Sequence, residues 1–259
     1  MKPDYRNWIP KGMIWSFGLT FLGLCAAVAV VVLLAEGSTR TVMLIVFGVL
    51  ALVFLGLTAW SVMMYRAFDY HGKRQMSRQI IEGTAAYVKI PDGGVCLDVG
   101  CGRGALSIAV AKRNPKASVI GIDRWGKEYA SFSQTLCEEN ARAEGVKNVS
   151  FRHGDATGLD FPDETFDAVT SNYVYHNIPG DRQAYLLETL RTLQKGGTFV
   201  IHDIMSVSKY GDMSAFVKKL KDMGYEKAEL VGTTNGKFMK KSEAGWMGMS
   251  GSALLMGKK

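Results

Sequence analysis

Cysteine is scarce and dispersed. The four cysteines among 259 residues, Cys25, Cys96, Cys101 and Cys137, form no CxxC pair and show no even spacing, which excludes a disulfide framework and a thiolate metal site of familiar spacing. Each reads as a small buried apolar residue in a reducing compartment. Internal repeats and low-complexity tracts are absent. Charge is missing altogether from residues 13–35 and 41–65, runs of 23 and 25 residues, each longer than the roughly 20 needed to cross a bilayer as helix. With 47% hydrophobic residues, this excludes a secreted protein, a disordered chain and a coiled coil. The chain beyond these runs is long enough for one sizeable core.

The first run is too long for a signal-peptide core and a second begins five residues later, so the N-terminus predicts a two-span helical hairpin. The net charge of +7 concentrates around it. Residues 1–12 carry Lys2, Arg6 and Lys11 against Asp4, and residues 66–78 carry Arg66, Lys73, Arg74 and Arg78 against Asp69, whereas the connecting loop, residues 36–40, is neutral. The positive-inside rule then places both termini and the large C-terminal domain in the cytoplasm. Trp8, Trp15, Trp60 and Tyr65 fall where interfacial anchors stand. The basic stretch after the second span is explained by topology and anionic headgroups more simply than by nucleic acid. Three segments result: a hairpin over residues 1–65, a basic linker with an amphipathic helix over 66–89, and a domain over 90–259.

From Val95 onward, short β-rich runs alternate with helical stretches. Strands are expected at 95–99, 118–123, 149–153, 166–171 and 198–204, with helices at 105–112, 127–144 and 181–193, the pattern of a parallel α/β sheet. A helix at 213–223 precedes two runs, 227–234 and 252–258, expected to form a terminal antiparallel pair around a glycine-rich insert.

Residues 95–104 read VCLDVGCGRG: a strand ending in Asp98, then Gly100, Gly102 and Gly104 before a helix. Glycines there permit positive φ and close approach of a ligand to the backbone, and the helix start offers free N–H groups. Gly100, Gly102 and Ala105 also satisfy a dinucleotide fingerprint, with Asp123 placed to hold a ribose. Asp98 tells against a dinucleotide, because a carboxylate there repels a diphosphate and attracts a cationic amino-acid moiety.

These residues resemble the class I S-adenosylmethionine-dependent methyltransferases, whose first motif is an acidic residue followed by G-x-G-x-G. Four further segments arrive in the family's order: VIGID at 119–123, HGDA at 153–156, FPDETFDAVTSN at 161–172 and LETLRTLQKGGTFVIHDI at 187–204. Within the class, quinone-type C-methyltransferases and their small-molecule relatives are most similar. The resemblance implies a Rossmann-like α/β fold with a mostly parallel seven-stranded sheet and a terminal antiparallel strand, here preceded by the membrane hairpin. It implies that Asp98, Gly100, Cys101, Gly102 and Gly104 hold the methionine part of S-adenosylmethionine, Asp123 the ribose, and Asp155 with Ala156 the adenine. Arg124 and Trp125, directly after the ribose Asp, either pack on the adenine or are a surface Arg and a packing Trp, and Asn172 after the fourth strand is a further candidate cofactor contact. The alternative reading of Asp98 and Asp123 is that they cap turns.

Ligands in such sheets bind beyond the carboxyl ends of the strands, which singles out residues 171–177 and the pair His202 and Asp203. His176 and His202, two of only four histidines, are candidate proton acceptors, His202 with Asp203 as its orienting partner. His176 alternatively positions backbone in a helix-opening segment. Tyr173 and Tyr175 either line an acceptor pocket or fill core. The insert at 235–250, with Phe238, Trp246, Met247 and Met249 among lysines, dips into the interface, covers the acceptor, or is an exposed hairpin loop. The Asn-Pro-Pro-aromatic signature of enzymes methylating adenine or glutamine is absent, since Tyr173 and Val174 come after Asn172.

The expected activity is methyl transfer from S-adenosylmethionine to a small lipophilic acceptor at the cytosolic membrane face, without metal or nucleic acid. The competing readings are a nicotinamide-dependent oxidoreductase and a non-catalytic S-adenosylmethionine sensor. Small residues at four-residue spacing (Gly12, Ser16, Thr20; Gly23, Ala27) permit close helix contact with the second span or with a second copy in a homodimer.

Overall fold

The computed structural model describes residues 2–126 and 132–259. The start of the helix expected from residue 127 therefore lies outside the described residues. The chain forms two compact units, Arg6–Arg78 and a larger one comprising Gln79–Lys259 with the chain as far as Tyr5.

In the smaller unit, α1 (Lys11–Leu34) and α2 (Gly37–Phe68) run antiparallel. The connection is only Ala35 and Glu36, because residues expected in the loop, Ser38 to Arg40, join α2. The 32 residues of α2 span about 48 Å at 1.5 Å per residue, so its basic last turn with Arg66 reaches past the apolar run. Phe17 and Phe54 pack edge to face at 6.2 Å. The hydroxyls of Thr20 and Thr58 donate to carbonyls one turn back, so neither is left bare among apolar neighbours. Outward faces stay apolar: Leu33 is 80% and Leu52 70% exposed. Both helices are long and apolar enough to cross a membrane.

Helix α3 (Met76–Ala85) leads into the larger unit, and its Ile80, Ile81 and Ala85 are buried as the amphipathic pattern predicts. The sheet comes next, built from β1 (Val95–Val99), β2 (Ser118–Asp123), β3 (Val149–His153), β4 (Phe166–Asn172), β5 (Leu193–Ile204), β6 (Lys227–Gly232) and β7 (Ser252–Lys258). Its order is β3-β2-β1-β4-β5-β7-β6. The first five strands are parallel, and β7 lies antiparallel between β5 and β6, the expected mostly parallel sheet of seven. Leu97, Val99, Ile122, Val169, Phe199 and Ile201 are buried in one core, which is why these strands read as apolar runs rather than alternating ones. Helices α4 (Ala105–Arg113), α5 (Gln134–Ala143), α6 (Arg182–Arg191), α7 (Val207–Tyr210), α8 (Met213–Asp222) and α9 (Lys241–Trp246) complete the unit. Asp181 and Asp212 cap α6 and α8 by accepting two backbone N–H groups each. Strand order reverses between β1 and β4, the point beyond whose carboxyl ends sheets of this kind bind ligands.

Candidate active site

The turn leaving β1 takes the conformation its glycines permit. Gly100, Gly102 and Gly104 have φ of 73°, 57° and 79°, and α4 starts directly after Gly104 with its first N–H groups unpaired within the helix. The N–H groups of Gly100 and Cys101 both donate to the Ile122 carbonyl, at 2.8 and 2.9 Å, which pins the turn to β2. A Cβ on Gly100 would lie 2.3 Å from Val174 Cγ2, and valine is stiff at χ1. Gly100→Ala is therefore expected to destabilise the larger unit by about 2 to 4 kcal/mol, from a left-handed alanine plus overpacking. Thermal unfolding checks this, and Val174→Ala in the same chain should restore part of the loss.

Asp98, 1% exposed at the end of β1, accepts from Ser107 Oγ at 2.5 Å through Oδ2. Its Oδ1 is buried with no hydrogen-bond partner among the described residues. Burial raises this carboxyl from the usual 3.8 to about 7; the Ser107 bond opposes the shift and Asp123 adds to it. An orphaned carboxylate oxygen beside a positive-φ glycine turn fits a ligand bringing a cation, such as the ammonium of a methionine moiety, and is hostile to a diphosphate. The thiol of Cys101 is buried and raised well above its ordinary value, first by burial, so Cys101 contributes its backbone.

Asp123 is already engaged. Its Oδ2 accepts from the Gly102 N–H and its Oδ1 from the Trp125 N–H, both at 2.9 Å, so it clamps the glycine turn as a turn-capping residue would. Each oxygen keeps a lone pair for a ribose hydroxyl. Trp125 Nε1 donates to the Gly102 carbonyl at 3.0 Å, which lays the indole on the turn. Arg124 is exposed, and its charge helps lower the Asp155 carboxyl after the larger effect of hydrogen bonds from Thr157. Beyond β2 and β3 a cleft of about 230 Å³ is lined by Ile122, Gly154, Asp155, Leu159 and Phe161 among others, next to Ala156, which packs on the core. This is where the resemblance expects adenine.

On the far side of that reversal, β4 leads to His176 and β5 carries His202 and Asp203. Asp203 is buried, and its carboxylate turns to His176, with Oδ1 at 2.5 Å from Nδ1 and Oδ2 at 3.2 Å from the His176 N–H. Tyr210 Oη–H donates to Oδ2 at 2.7 Å and the Ile204 N–H to Oδ1 at 2.7 Å. Burial alone would raise this carboxyl, yet the hydrogen bond and charge of His176, helped by Tyr210 and Ile204, hold it below its ordinary value. The His176 side chain is 14% exposed, and among the described residues its Nε2 has no hydrogen-bond partner. An anchored imidazole with one nitrogen presented outward is the geometry of a general base.

The expectation that Asp203 orients His202 is not met. His202 is fully buried, with Nδ1 2.9 Å from Asn172 Oδ1 and Nε2 3.0 Å from Thr233 Oγ1. Burial pushes its pKa down to about 3, against the opposing charge of Asp203, so the ring is neutral with both nitrogens used. Asn172 thus spends its side chain on His202. Tyr175 is also fully buried, its hydroxyl 2.5 Å from Thr189 Oγ1, and burial raises that phenol; it fills core. Tyr173 instead stands between the two imidazoles, its ring 5.8 Å from His176 and 4.7 Å from His202. Phe238 continues the row at 5.2 Å from His202. The insert at 235–250 is only partly the exposed loop expected: it contains α9 and buries Phe238 and Met239, 3% and 2% exposed, while Trp246 is 40% exposed. Gly83 makes room for Phe238, since a Cβ there would lie 2.4 Å from the ring.

Residues 90–248 match a family model described as a methyltransferase domain. Over 112 residues the chain is 37% identical to an uncharacterised methyltransferase of Schizosaccharomyces pombe, spanning 43% of this chain and 39% of that protein. It is 34% identical over 118 residues to the demethylmenaquinone methyltransferase of Alkalihalophilus pseudofirmus, spanning 45% and 48%. The corresponding enzyme of Bacillus subtilis is 28% identical over 142 residues, spanning 55% and 59%. The chain thus covers about half the length of the curated relatives it matches. Among solved structures, the [4+2]-cyclase SpnF superposes with a TM-score of 0.52 at 20% identity, covering 74% of this chain and 85% of that one. A putative O-methyltransferase from Nostoc punctiforme gives 0.51 at 18%, covering 71% and 57%. These two show the fold alone, and a cyclase among them illustrates that a fold does not fix a reaction. The family model and the glycine turn with its orphaned carboxylate agree: the chain belongs to the methyltransferase-domain family, whose methyl donor is S-adenosylmethionine.

Proposed function

We propose that this enzyme is held in a bilayer by α1 and α2 and methylates a small lipophilic acceptor bearing an ionisable hydroxyl, at the cytosolic face. The observation that carries this reading is the His176–Asp203 pair beside the aromatic wall of Tyr173 and Phe238. S-adenosylmethionine supplies an electrophilic methyl group on a sulfonium. His176 Nε2 takes the acceptor's hydroxyl proton, while Asp203 holds the Nδ1–H tautomer and stabilises the imidazolium. Tyr173 and Phe238 orient a flat apolar ring and exclude water. Asp98 pairs with the cofactor's ammonium, and the turn amides and Asp123 hold its remainder. Hydroquinone-type acceptors are favoured by the similarity to demethylmenaquinone methyltransferases. Tethering near the bilayer raises the effective concentration of such a substrate, and the exposed apolar faces of α1 and α2 need a nonpolar surround.

Calorimetric titration of the detergent-solubilised protein with S-adenosylmethionine, S-adenosylhomocysteine and NADH tests the cofactor, and labelled methyl transfer to membrane-extracted quinols tests the acceptor. Binding of the first two ligands with transfer to a lipid fraction is expected. Tight binding without transfer to any acceptor would turn the protein into a sensor; NADH binding alone would revive the oxidoreductase. Asp203→Asn provides a sharper check. Asparagine can present its NH2 to Nδ1 and so leave Nε2 protonated, the wrong tautomer for a base; turnover should fall at least about 10²-fold with cofactor affinity unchanged. His202→Ala should lower the unfolding temperature and leave the pH profile of turnover alone.

A further inference from the structure

Residues 2–5 read from the sequence as part of the basic flank of the first span, yet the chain as far as Tyr5 packs with the methyltransferase unit. Its partner is Asn140 on α5, a side chain 2% exposed. Asn140 Oδ1 accepts the Asp4 N–H at 2.7 Å, and Nδ2 donates to the Asp4 carbonyl at 3.2 Å. The same Nδ2 donates to the Arg103 carbonyl at 3.0 Å. Arg103 stands between Gly102 and Gly104, so one buried amide joins the backbone of the N-terminal segment to the middle of the cofactor turn. Tyr5, 5% exposed, donates its hydroxyl to Glu144 Oε1 at 3.3 Å, one residue beyond the end of α5. The Arg103 guanidinium lies 3.9 Å from the Asp4 carboxylate and stacks over Phe132 at 4.7 Å.

We propose that residues 2–5 are a strap that, through Asn140, holds the 102–104 turn in its cofactor-binding conformation. Three closely spaced positive-φ glycines are conformationally permissive, and the free turn has many alternatives to the cradle. Three contacts fix it from the β2 side, the Ile122 carbonyl, the Asp123 carboxylate and the Trp125 indole on the Gly102 carbonyl. From the α5 side it is held by the strap through Asn140 and by the Cys137 thiol on the Gly102 carbonyl. Asp4, Tyr5 and Asn140 are positioning residues. They order the turn before the ligand arrives, which strengthens binding by removing an ordering cost, and they leave the acceptor-side groups untouched. This inference rests on the assignment of the turn to S-adenosylmethionine.

The pairing uses the main chain of Asp4, so two substitutions separate it from the side chain's charge. In the full-length, detergent-solubilised enzyme, Asp4→Ala keeps the N–H and should raise KM for S-adenosylmethionine less than about twofold. Asp4→Pro removes the N–H and should raise it roughly tenfold, the scale of a lost buried hydrogen bond with its partner left unsatisfied, with kcat and the acceptor KM unchanged. Asn140→Leu should do at least as much, and adding Asp4→Pro to it should change nothing further. Amide hydrogen exchange at residues 102–104 should quicken in Asp4→Pro, a readout that needs no ligand. Wild-type KM and exchange in Asp4→Pro would overturn the strap. Equal losses in Asp4→Ala and Asp4→Pro would assign the effect to the Arg103–Asp4 charge pair and overturn the backbone pairing. If the unmutated enzyme bound no S-adenosylmethionine, the cofactor assignment would fail, while faster exchange in Asp4→Pro would still establish the strap's hold on the turn.

Discussion

Replacing Asp98 by asparagine is expected to weaken S-adenosylmethionine binding by ten- to a hundredfold or more while making the ligand-free protein more stable above neutral pH. Both effects come from one buried carboxyl. Its Oδ1 has no partner among the described residues, and losing its charge removes a charge-assisted bond to the ligand's ammonium, about 1.5–3 kcal/mol. The pH dependence stems from its shift from 3.8 to about 7. Between those values the folded ligand-free protein holds a proton that the unfolded chain has released, so this group's contribution makes stability fall as pH rises from about 4 to 7. Cofactor binding favours the ionised form, so affinity should rise with pH over the upper part of that window, by up to roughly tenfold per unit, and level off above it. Calorimetry at pH 5.5, 6.5 and 7.5 reads this directly. Pairing of Asp98 with the ligand is refuted if affinity is the same at all three values and survives in Asp98→Asn.

Removing the His176 imidazole should lower turnover by about 10²- to 10⁴-fold, the usual contribution of a general base, and leave cofactor affinity nearly unchanged, while thermal stability falls because the buried Asp203 carboxylate loses the partner that holds it ionised. The ring is anchored through Nδ1 and presents Nε2 outward, so His176→Ala deletes the proton acceptor without opening a deep cavity. Single-turnover measurements with saturating cofactor separate this from slow product release. An acceptor that carries no ionisable proton would show little loss, which would shift the substrate class away from phenols and quinols while sparing the cofactor site. Tyr210→Phe should fall between wild type and Asp203→Asn, because Asp203 would retain its bonds from His176 and Ile204 and lose only the Tyr210 hydroxyl.

The chain announces its cofactor side locally and conceals its acceptor side. Asp98, Gly100, Gly102, Gly104 and Asp123 lie within 26 residues, since a turn and a helix start are made by consecutive residues and a sheet spaces its strands at regular intervals. The expected strands fall within a few residues of β1 to β4, β6 and β7. Strand β5 starts five residues earlier than expected, at Leu193, because Gly196 and Gly197, which read as a turn, are carried within it. The pairing of Asp203 with His176 rather than with its neighbour His202 was not legible. Alternation along a strand sends the side chains of 202 and 203 to opposite faces, and that period alone was the signal that adjacent residues cannot share a site. Tyr175 was similarly ambiguous, as one of two tyrosines two residues apart of which Tyr173 reaches the aromatic wall and Tyr175 the core. Nothing in the sequence around Asn140 distinguishes it from any polar helical residue.

The sequence by itself determined two apolar helices, the alternation that makes a parallel sheet, and a glycine turn that brings backbone and carboxylate to a ligand. Each of these depends on residues near one another along the chain, through helical and strand periodicity, charge-free length and the φ freedom of glycine. Only the tertiary structure decided which histidine is anchored by a carboxylate, which tyrosine is buried, and that the first residues of the chain return to the glycine turn. Those choices join positions 27, 14 and 136 residues apart. They are set by which groups the folded sheet and its helices leave in hydrogen-bond reach and shielded from water, and such proximity has no signature in local spacing.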